Sequence, residues 1–426
     1  MTMRFVCHGC GATVDAALAL PFRCPQAGGP GDDVDHLLVP TSDEASFAPG
    51  DEDDPFLRYR GLLSPYRLAR AWGLSDAAWV DIEGALDDAL IAVDGRGFRL
   101  TPITLQQALA AAAGWQAPLW VKDETGNVAG SHKARHLMGV MLYLRVLDAA
   151  GKPAAAGLKT RRLAIASCGN AALAAAVIAR AADWPLGVFI PPDADAKVVS
   201  RLKDLGAAIT VCPRRDDETG DPCYKAFRRA VAAGAIAFGV QGPDNGLAIE
   251  GGRTLAFEMA EQLAATKAEI EEVFVQVGGG ALASALIQGL TMAAQAGILP
   301  RLPRLIAVQT AGCAPLARAC QRLRGVTLTE AAQHRSRFMW PWETPPVSLA
   351  HGILDDETYD WWAIAEGIER SGGTAVVANE DTVVRASRLA REHTYIAVSP
   401  TGSAGLAGLS GIAACPAAVI FSGVER

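Results

Sequence analysis

The 426-residue chain is short of aromatics, at 6%, and short of lysine, with eight against 31 arginines. It has no apolar run approaching the roughly 18 residues that a membrane span requires, which argues against a membrane protein. No five consecutive residues are Lys or Arg, and the formal net charge is −7, so a basic nucleic-acid surface is not expected. The first residues, Met1 to Gly11, lack the longer apolar core of a signal peptide. No internal repeat is evident. These absences point to a cytoplasmic protein with neither nucleic acid nor membrane as a partner. Nine cysteines cannot all pair internally, and in that compartment they are expected to be reduced.

What the chain does have is apolar mass. Half of it is hydrophobic, which is ample for a full core. The length suits two or three domains at about 150 residues each. Near the start, Cys7-x-x-Cys10-Gly11 forms half of a metal knuckle, and Cys24 offers a third ligand. Tetrahedral zinc needs a fourth, for which His36 or His8 is available, His36 being preferred. The set reads two ways: a structural zinc on Cys7, Cys10, Cys24 and His36, or a knuckle that no longer binds metal. Thr41 to Asp54 is acidic and reads as a linker or surface loop.

From about residue 100 the chain alternates regularly. Short apolar runs read as strands at 119–121, 163–166, 187–190, 208–211, 235–238, 273–277, 305–308 and 417–421. Ala-rich helical stretches lie between them, at 170–182, 247–265, 282–296 and 381–391. Such alternation indicates an α/β fold with parallel sheets. Ligands in these folds bind beyond the carboxyl ends of strands, so the segments after the strands carry the candidates.

Four such segments stand out. After the first strand, Gly126 and Gly130 bracket a loop, and a helix is expected to start at Ser131 as N-cap. Lys133 then sits in the first helical turn, where an ammonium is disfavoured, its pKa falls and an amine able to form an imine results. After the second strand, Ser167-Cys168-Gly169-Asn170-Ala171 opens a helix whose amides suit a carboxylate, with Asn170 available as a cap. After the sixth, Gly278-Gly279-Gly280-Ala281-Leu282 lets backbone amides curl around a phosphate. Near the end, Ser399-Pro400-Thr401-Gly402-Ser403 brings hydroxyls to a helix start.

Lysine, carboxylate cradle, phosphate cradle and hydroxyl, in that order, resemble the fold type II pyridoxal-phosphate (PLP) enzymes. Within that family the chain is most similar to the threonine synthase and dehydratase branch. The stretch Ile249-Glu250-Gly251-Gly252-Arg253-Thr254 and the cysteine knuckle are similar to threonine synthases. The resemblance covers about residues 60 to 426. It implies that Lys133 carries the cofactor as an imine and that Ser167 to Ala171 hold the substrate carboxylate. It further implies that Asn170 bonds the cofactor's ring oxygen and that Gly278 to Leu282 bind its phosphate. Thr401, or else Ser403, would meet the pyridine nitrogen. Ser348-Leu349-Ala350-His351-Gly352 is similar to a loop lying against the cofactor, which puts His351 near the site as a catalytic candidate. Departures occur at His132 and Ala134 around the lysine, at Cys168 in place of a hydroxyl residue, and at Ala281 in place of a glycine.

The resemblance also implies domains: a cysteine unit and linker over 1–45, a large PLP-binding domain over 46–132 and 246–426, and a smaller one over 133–245. A homodimer is implied in the same way. A hydroxyl at the pyridine nitrogen makes a weak electron sink, so the expected reaction is α,β-elimination or β-replacement on a β-hydroxy or β-substituted amino acid. One alternative is threonine synthesis from O-phosphohomoserine, which needs a second anion site, and only Arg135 is at hand. A second alternative is a PLP-binding protein without catalysis.

Overall fold

The computed structural model describes residues 3–41, 47–214 and 220–426. The N-terminal strands β1 (Phe5–Cys7), β2 (Thr13–Val14) and β3 (Leu38–Pro40) form a small antiparallel sheet in the order β2-β1-β3. It packs firmly on the rest of the chain: Gly246 N–H donates to Phe22 O, and the buried Tyr143 hydroxyl donates to Ala16 O. Part of the expected linker, residues 42–46, lies outside the described residues. The end of that acidic stretch is structured, because Asp54 caps the short helix Pro55–Arg58 with bonds from Phe56 and Leu57 N–H.

Two further sheets carry the body. The larger contains β4 (Ile103–Leu105), β5 (Leu119–Asp123), β10 (Glu272–Gln276), β11 (Arg304–Thr310), β12 (Thr374–Ala378) and β13 (Ala417–Phe421). Its order is β12-β11-β10-β13-β5-β4, parallel throughout except for the antiparallel β4. The smaller contains β6 (Leu163–Ala166), β7 (Leu186–Ile190), β8 (Ala208–Val211) and β9 (Ile236–Ala237), all parallel in the order β8-β7-β6-β9. Every residue of β10 and β13 is buried, as expected for central strands covered by helices on both faces. The α/β class and all eight strands expected from apolar runs are present, within two residues at each end.

The strands not anticipated are the three short N-terminal ones and the edge strands β4 and β12. An edge strand has one unpaired side and no fully buried face. β4 has no buried residue and reads Ile-Thr-Leu, too short and interrupted for an apolar run; β12 has only Ala378 buried, although its residues 375–378 form an apolar run that was passed over.

Six helices matter below: α1 (Asp76–Asp94), α2 (Lys133–Ala149), α3 (Asn170–Ala181), α4 (Leu247–Thr266), α5 (Ala281–Gln295) and α6 (Glu380–His393). Helix α2 lies tight against α4, because Gly139 and Gly251 have no side chains at the crossing. A Cβ on Gly251 would overlap Arg135 O, and one on Gly139 would sit 2.9 Å from Gly251 Cα. The glycine pair at 251 and 252 therefore has a packing reason: a Cβ on Gly252 would strike the His136 ring.

Candidate functional site

Lys133 is the first residue of α2, as expected, but Ser131 does not cap that helix. Ser131 is extended (φ −165°, ψ 165°), His132 takes the cap position, and Ser131 Oγ is buried with no hydrogen-bond partner. The chain is held here from across the sheet. Ser422, the residue after β13, accepts a bond from His132 N–H at 3.1 Å, and its hydroxyl also pairs with His132 Nδ1. Burial lowers the Lys133 amine, opposed by the carboxylates of Asp355 and Asp360, so burial rather than the helix end alone keeps it from an ordinary ammonium. His132 and His136 are both held neutral by burial beside Lys133, His136 with its pKa lowered to about 3.

The glycine loop between β10 and α5 closes onto the same place. Gly280 is left-handed (φ +100°), and a Cβ there would press on Thr358 and Ile364. Thr358 Oγ1 donates to Gly278 O at 2.9 Å. Gly279 N–H donates to Asp355 Oδ2 at 2.7 Å. The loop's amide thus already holds an anionic oxygen, and it belongs to the protein. Desolvation raises the Asp355 carboxyl, while Lys133 and the Gly279 bond pull it the other way.

The loop Ser167 to Ala171 precedes α3, and Gly169 rather than Asn170 holds the cap position. Asn170 is instead the first helical residue, and its Oδ1 accepts from the Arg426 guanidinium. A Cβ on Gly423 would sit 2.7 Å from Asn170 Nδ2, so this loop lies against the segment that carries Ser422. Cys168 is exposed, and partial desolvation followed by Asp193 raises its thiol, with Asp355 contributing further. Lys133, the glycine loop, Ser422 and the 167–171 loop therefore converge around Asp355 and the end of β13.

The other candidates stand at varying distance from this centre. Thr401 Oγ1 accepts from Gly352 N–H at 3.0 Å, which ties the 348–352 loop to the 399–403 loop. Ser403 Oγ donates to Ser399 O at 3.0 Å within its own loop. His351 is exposed at the start of the turn His351–Ile353. Arg135, considered for a second phosphate, is fully buried and committed to Glu124 and Glu258. Sequence reasoning passed over Ser422 and Asp355. Ser422 obeys the same post-strand rule as the rest, but no helix comes after it. Asp355 lies in a loop that no strand announces.

Residues 96–422 match the pyridoxal-phosphate dependent enzyme family, more than three-quarters of the chain. The chain belongs to that family. Threonine synthase of Mycobacterium tuberculosis is 26% identical over 251 residues, 58% of this chain and 61% of that protein. A serine dehydratase-like protein of Mus musculus is 29% identical over 232 residues, 54% of this chain and 63% of that one. The chain thus spans about three-fifths of the curated relatives it matches. Among solved structures, maize serine racemase is similar with a TM-score of 0.59 at 21% identity, covering 81% of this chain and 93% of that one. Diaminopropionate ammonia lyase from Escherichia coli gives 0.59 at 16%, covering 82% and 89%. At those identities the likeness establishes the shared α/β fold.

The residues present fit the family's cofactor. The half-buried Lys133 has a desolvated amine within electrostatic reach of Asp355, whose carboxyl already engages an amide of the glycine loop. Ser131 Oγ and His132 Nε2, flanking Lys133, are buried without partners.

A second cluster lies in the N-terminal unit. One ligand atom each from Cys7, Cys10, Cys24 and His36 falls within 4.8 Å of all the others. Cys10 and Cys24 sulfurs are 3.5 Å apart, and Cys7 Sγ is 3.4 Å from His36 Nδ1. His36 Nε2 meets Asp32 Oδ1 at 3.1 Å, which leaves Nδ1 facing the sulfurs. Among the described residues no helix is long and apolar enough to cross a membrane.

Proposed function

We propose that the chain is a PLP-dependent lyase that eliminates a β-substituent from a β-hydroxy or β-substituted amino acid. The observation that carries the reading is Lys133: a desolvated amine within electrostatic reach of Asp355, the carboxyl that accepts from the glycine loop's Gly279 N–H. Lys133 would anchor the cofactor, Gly278 to Leu282 its phosphate and Asn170 its ring oxygen. For the ring nitrogen, Ser422 is favoured over Thr401 and Ser403, because its hydroxyl meets His132, the residue before the lysine, whereas Thr401 is tied to the 348–352 loop and Ser403 bonds within its own loop. Bound there, the cofactor supplies an electron sink for a carbanion at the substrate's Cα.

The chain's own residues do the rest. Lys133, with its pKa lowered, takes the Cα proton as general base. Residues Ser167 to Ala171 orient the substrate carboxylate from a helix start. His132 holds Ser422 in place and, being neutral, adds no competing charge. His351, exposed on the adjoining turn, is the candidate for passing a proton to the leaving group.

The test is product analysis. Incubated with serine, threonine and β-substituted relatives, the holoenzyme should release 2-oxo acid and ammonia. Release of threonine from O-phosphohomoserine without oxo acid would replace this reading with threonine synthesis. Cofactor binding with no turnover of any of these would replace it with a binding protein.

Asp355 supplies a sharper check. Because it holds the amide that the cofactor's phosphate needs, Asp355→Asn should tighten cofactor binding by about ten- to hundredfold. That corresponds to the roughly 1.5–3 kcal/mol typical of a hydrogen bond to a charged group. The measurement is titration of apoprotein by the visible band; unchanged or weaker affinity would count against phosphate binding at Gly279.

We further propose structural zinc on Cys7, Cys10, Cys24 and His36, with Asp32 orienting the imidazole, as carboxylates commonly do for ligating histidines. The wild-type chain should carry one zinc and Cys7→Ser none by metal analysis. Equal content in the two would sink the site. A homodimer in the cytoplasm is the companion expectation.

A further inference from the structure

Away from both sites, three carboxylates are buried together. Asp54, Glu83 of α1 and Asp87 of α1 are 6%, 1% and 6% exposed, and one oxygen of each lies within 4.8 Å of the other two. Positions 83 and 87 are one helical turn apart, which puts both on the same face of α1. Asp54 joins them because it caps the short helix Pro55–Arg58.

The hydrogen bonds in the cluster leave it unbalanced. Asp54 Oδ1 accepts from Phe56 and Leu57 N–H, and Asp87 Oδ1 accepts from Phe98 N–H. Asp87 Oδ2 accepts from Arg99 at 2.9 Å. Asp54 Oδ2 and Glu83 Oε1, on side chains more than nine-tenths buried, find no donor elsewhere in the protein, and the two carboxyls meet each other, so that a proton or a cation has to lie between them. Beside them lies a cavity of about 330 Å³, also lined by Glu52, Asp53 and Asp88. Among the described residues lining it, Arg99 is the one cation, and it is half exposed. If all were ionised, three carboxylates against one guanidinium would leave two negative charges in a desolvated place. That cost is borne only if the carboxyls take up protons or a counter-ion.

We propose that Asp54, Glu83 and Asp87 bind one hard divalent cation, of the calcium or magnesium class, with waters in the cavity completing its shell. Several features favour this class. The donors are all carboxylate oxygens, which suit hard ions and not the thiolate-seeking metals of the N-terminal cluster. The residual charge matches a divalent ion, and the cavity has room for the waters such ions retain. The ion would fasten α1 to the Asp54 turn and the Phe98–Arg99 segment, so its role is structural.

The alternative is proton sharing. Burial, with Asp87 adding repulsion, raises Asp54 to about 7, and burial with Asp54 raises Glu83 to about 10. Groups raised in the folded state add stability at low pH that is lost as pH rises through the folded value. The two accounts therefore diverge above about pH 7, the value for Asp54. If a cation binds, calcium should rescue what the proton loses, and its effect should grow with pH.

The experiment uses full-length protein dialysed against a chelator, reloaded with one equivalent of zinc, and then titrated with Ca²⁺ or Mg²⁺ by calorimetry. The expected result is one ion per chain, with affinity and the accompanying rise in melting temperature both increasing with pH. Glu83→Gln should lower the affinity at least tenfold while leaving zinc content unchanged. Should that variant fail to fold, Asp87→Asn and the wild-type pH series serve instead. Absence of ion binding to the wild type, or binding undiminished in a folded Glu83→Gln chain, overturns the site. Stability that falls with rising pH regardless of added ion assigns the cluster to shared protons.

Discussion

Lys133→Ala should remove catalysis by three to four orders of magnitude, leaving a folded protein that binds pyridoxal phosphate weakly and reversibly. The argument starts from position. Lys133 opens α2, and the backbone on its N-terminal side is pinned by Ser422 through His132. The α2–α4 crossing at Gly139 and Gly251 does not involve the Lys133 side chain, so truncation leaves that crossing intact. A general base typically contributes 10²–10⁴-fold, and this residue is proposed to anchor the cofactor as well. The measurement pairs single-turnover kinetics with borohydride reduction. Reduction should fix the colour-bearing group to the wild-type chain and not to the variant. A variant that retained both the visible band and the activity would remove Lys133 from the centre of the site. The pH dependence has a definite sign. Because burial lowers the amine's pKa, the activity limb that depends on its free base should extend below the range of an ordinary lysine.

Arg135→Met should cost stability on the scale of about 3–5 kcal/mol, the usual range for removing one partner of a buried pair. Arg135, Lys122, Glu124 and Glu258 are all wholly buried. The Arg135 fork holds Glu124 at 2.7 and 3.0 Å and reaches Glu258 and Thr254 with its other nitrogen. Lys122 Nζ meets Glu258 Oε2 at 2.8 Å and Thr101 O at 2.6 Å. Two cations thus balance two carboxylates, and the loss of Arg135 leaves the buried Glu124 with no hydrogen-bonded charge partner, only the Thr101 hydroxyl and the Asn127 amide. Arg135→Lys keeps a charge but not the planar fork, so an intermediate loss is expected. Glu258 is pulled low by Arg135 and Lys122 against its burial. Its ion pairs therefore stabilise the fold above the ordinary carboxylate range near about pH 4.3 and lose that contribution as pH falls through the lowered value. The penalty of Arg135→Met should accordingly be larger at neutral pH than in acid, read as the shift of denaturation midpoint in parallel unfolding series. Equal penalties at both would mean that the network's charges are not what the substitution removes.

The parts legible in the sequence share a physical cause. Central strands buried on both faces leave continuous apolar runs, which is why β10, β11 and β13 were readable. Loops that come after them at helix starts have little freedom, so Lys133, Asn170 and the glycine loop could be located by position. Less legible was anything set by contact between distant segments. Arg135 carries no local sign that it is buried, since its partners are 11 and 123 positions away. Nothing near Ser131 announces that Ser422 binds its neighbour and displaces it from the cap. The Asp54–Glu83–Asp87 cluster was equally hidden, because an acidic stretch before a helix reads as a solvated surface.

The Asp355 bond to the glycine loop bears on how a newly made chain acquires its cofactor. The Gly279 amide would be costly to bury bare, and it is satisfied before any cofactor arrives. With the phosphate at Gly279, as proposed above, loading amounts to trading a carboxyl oxygen for a phosphate oxygen, with no folding event required. At high cofactor concentration its rate should level off at the pace at which the 353–360 segment lets go, so that maturation is timed by the protein and not by supply.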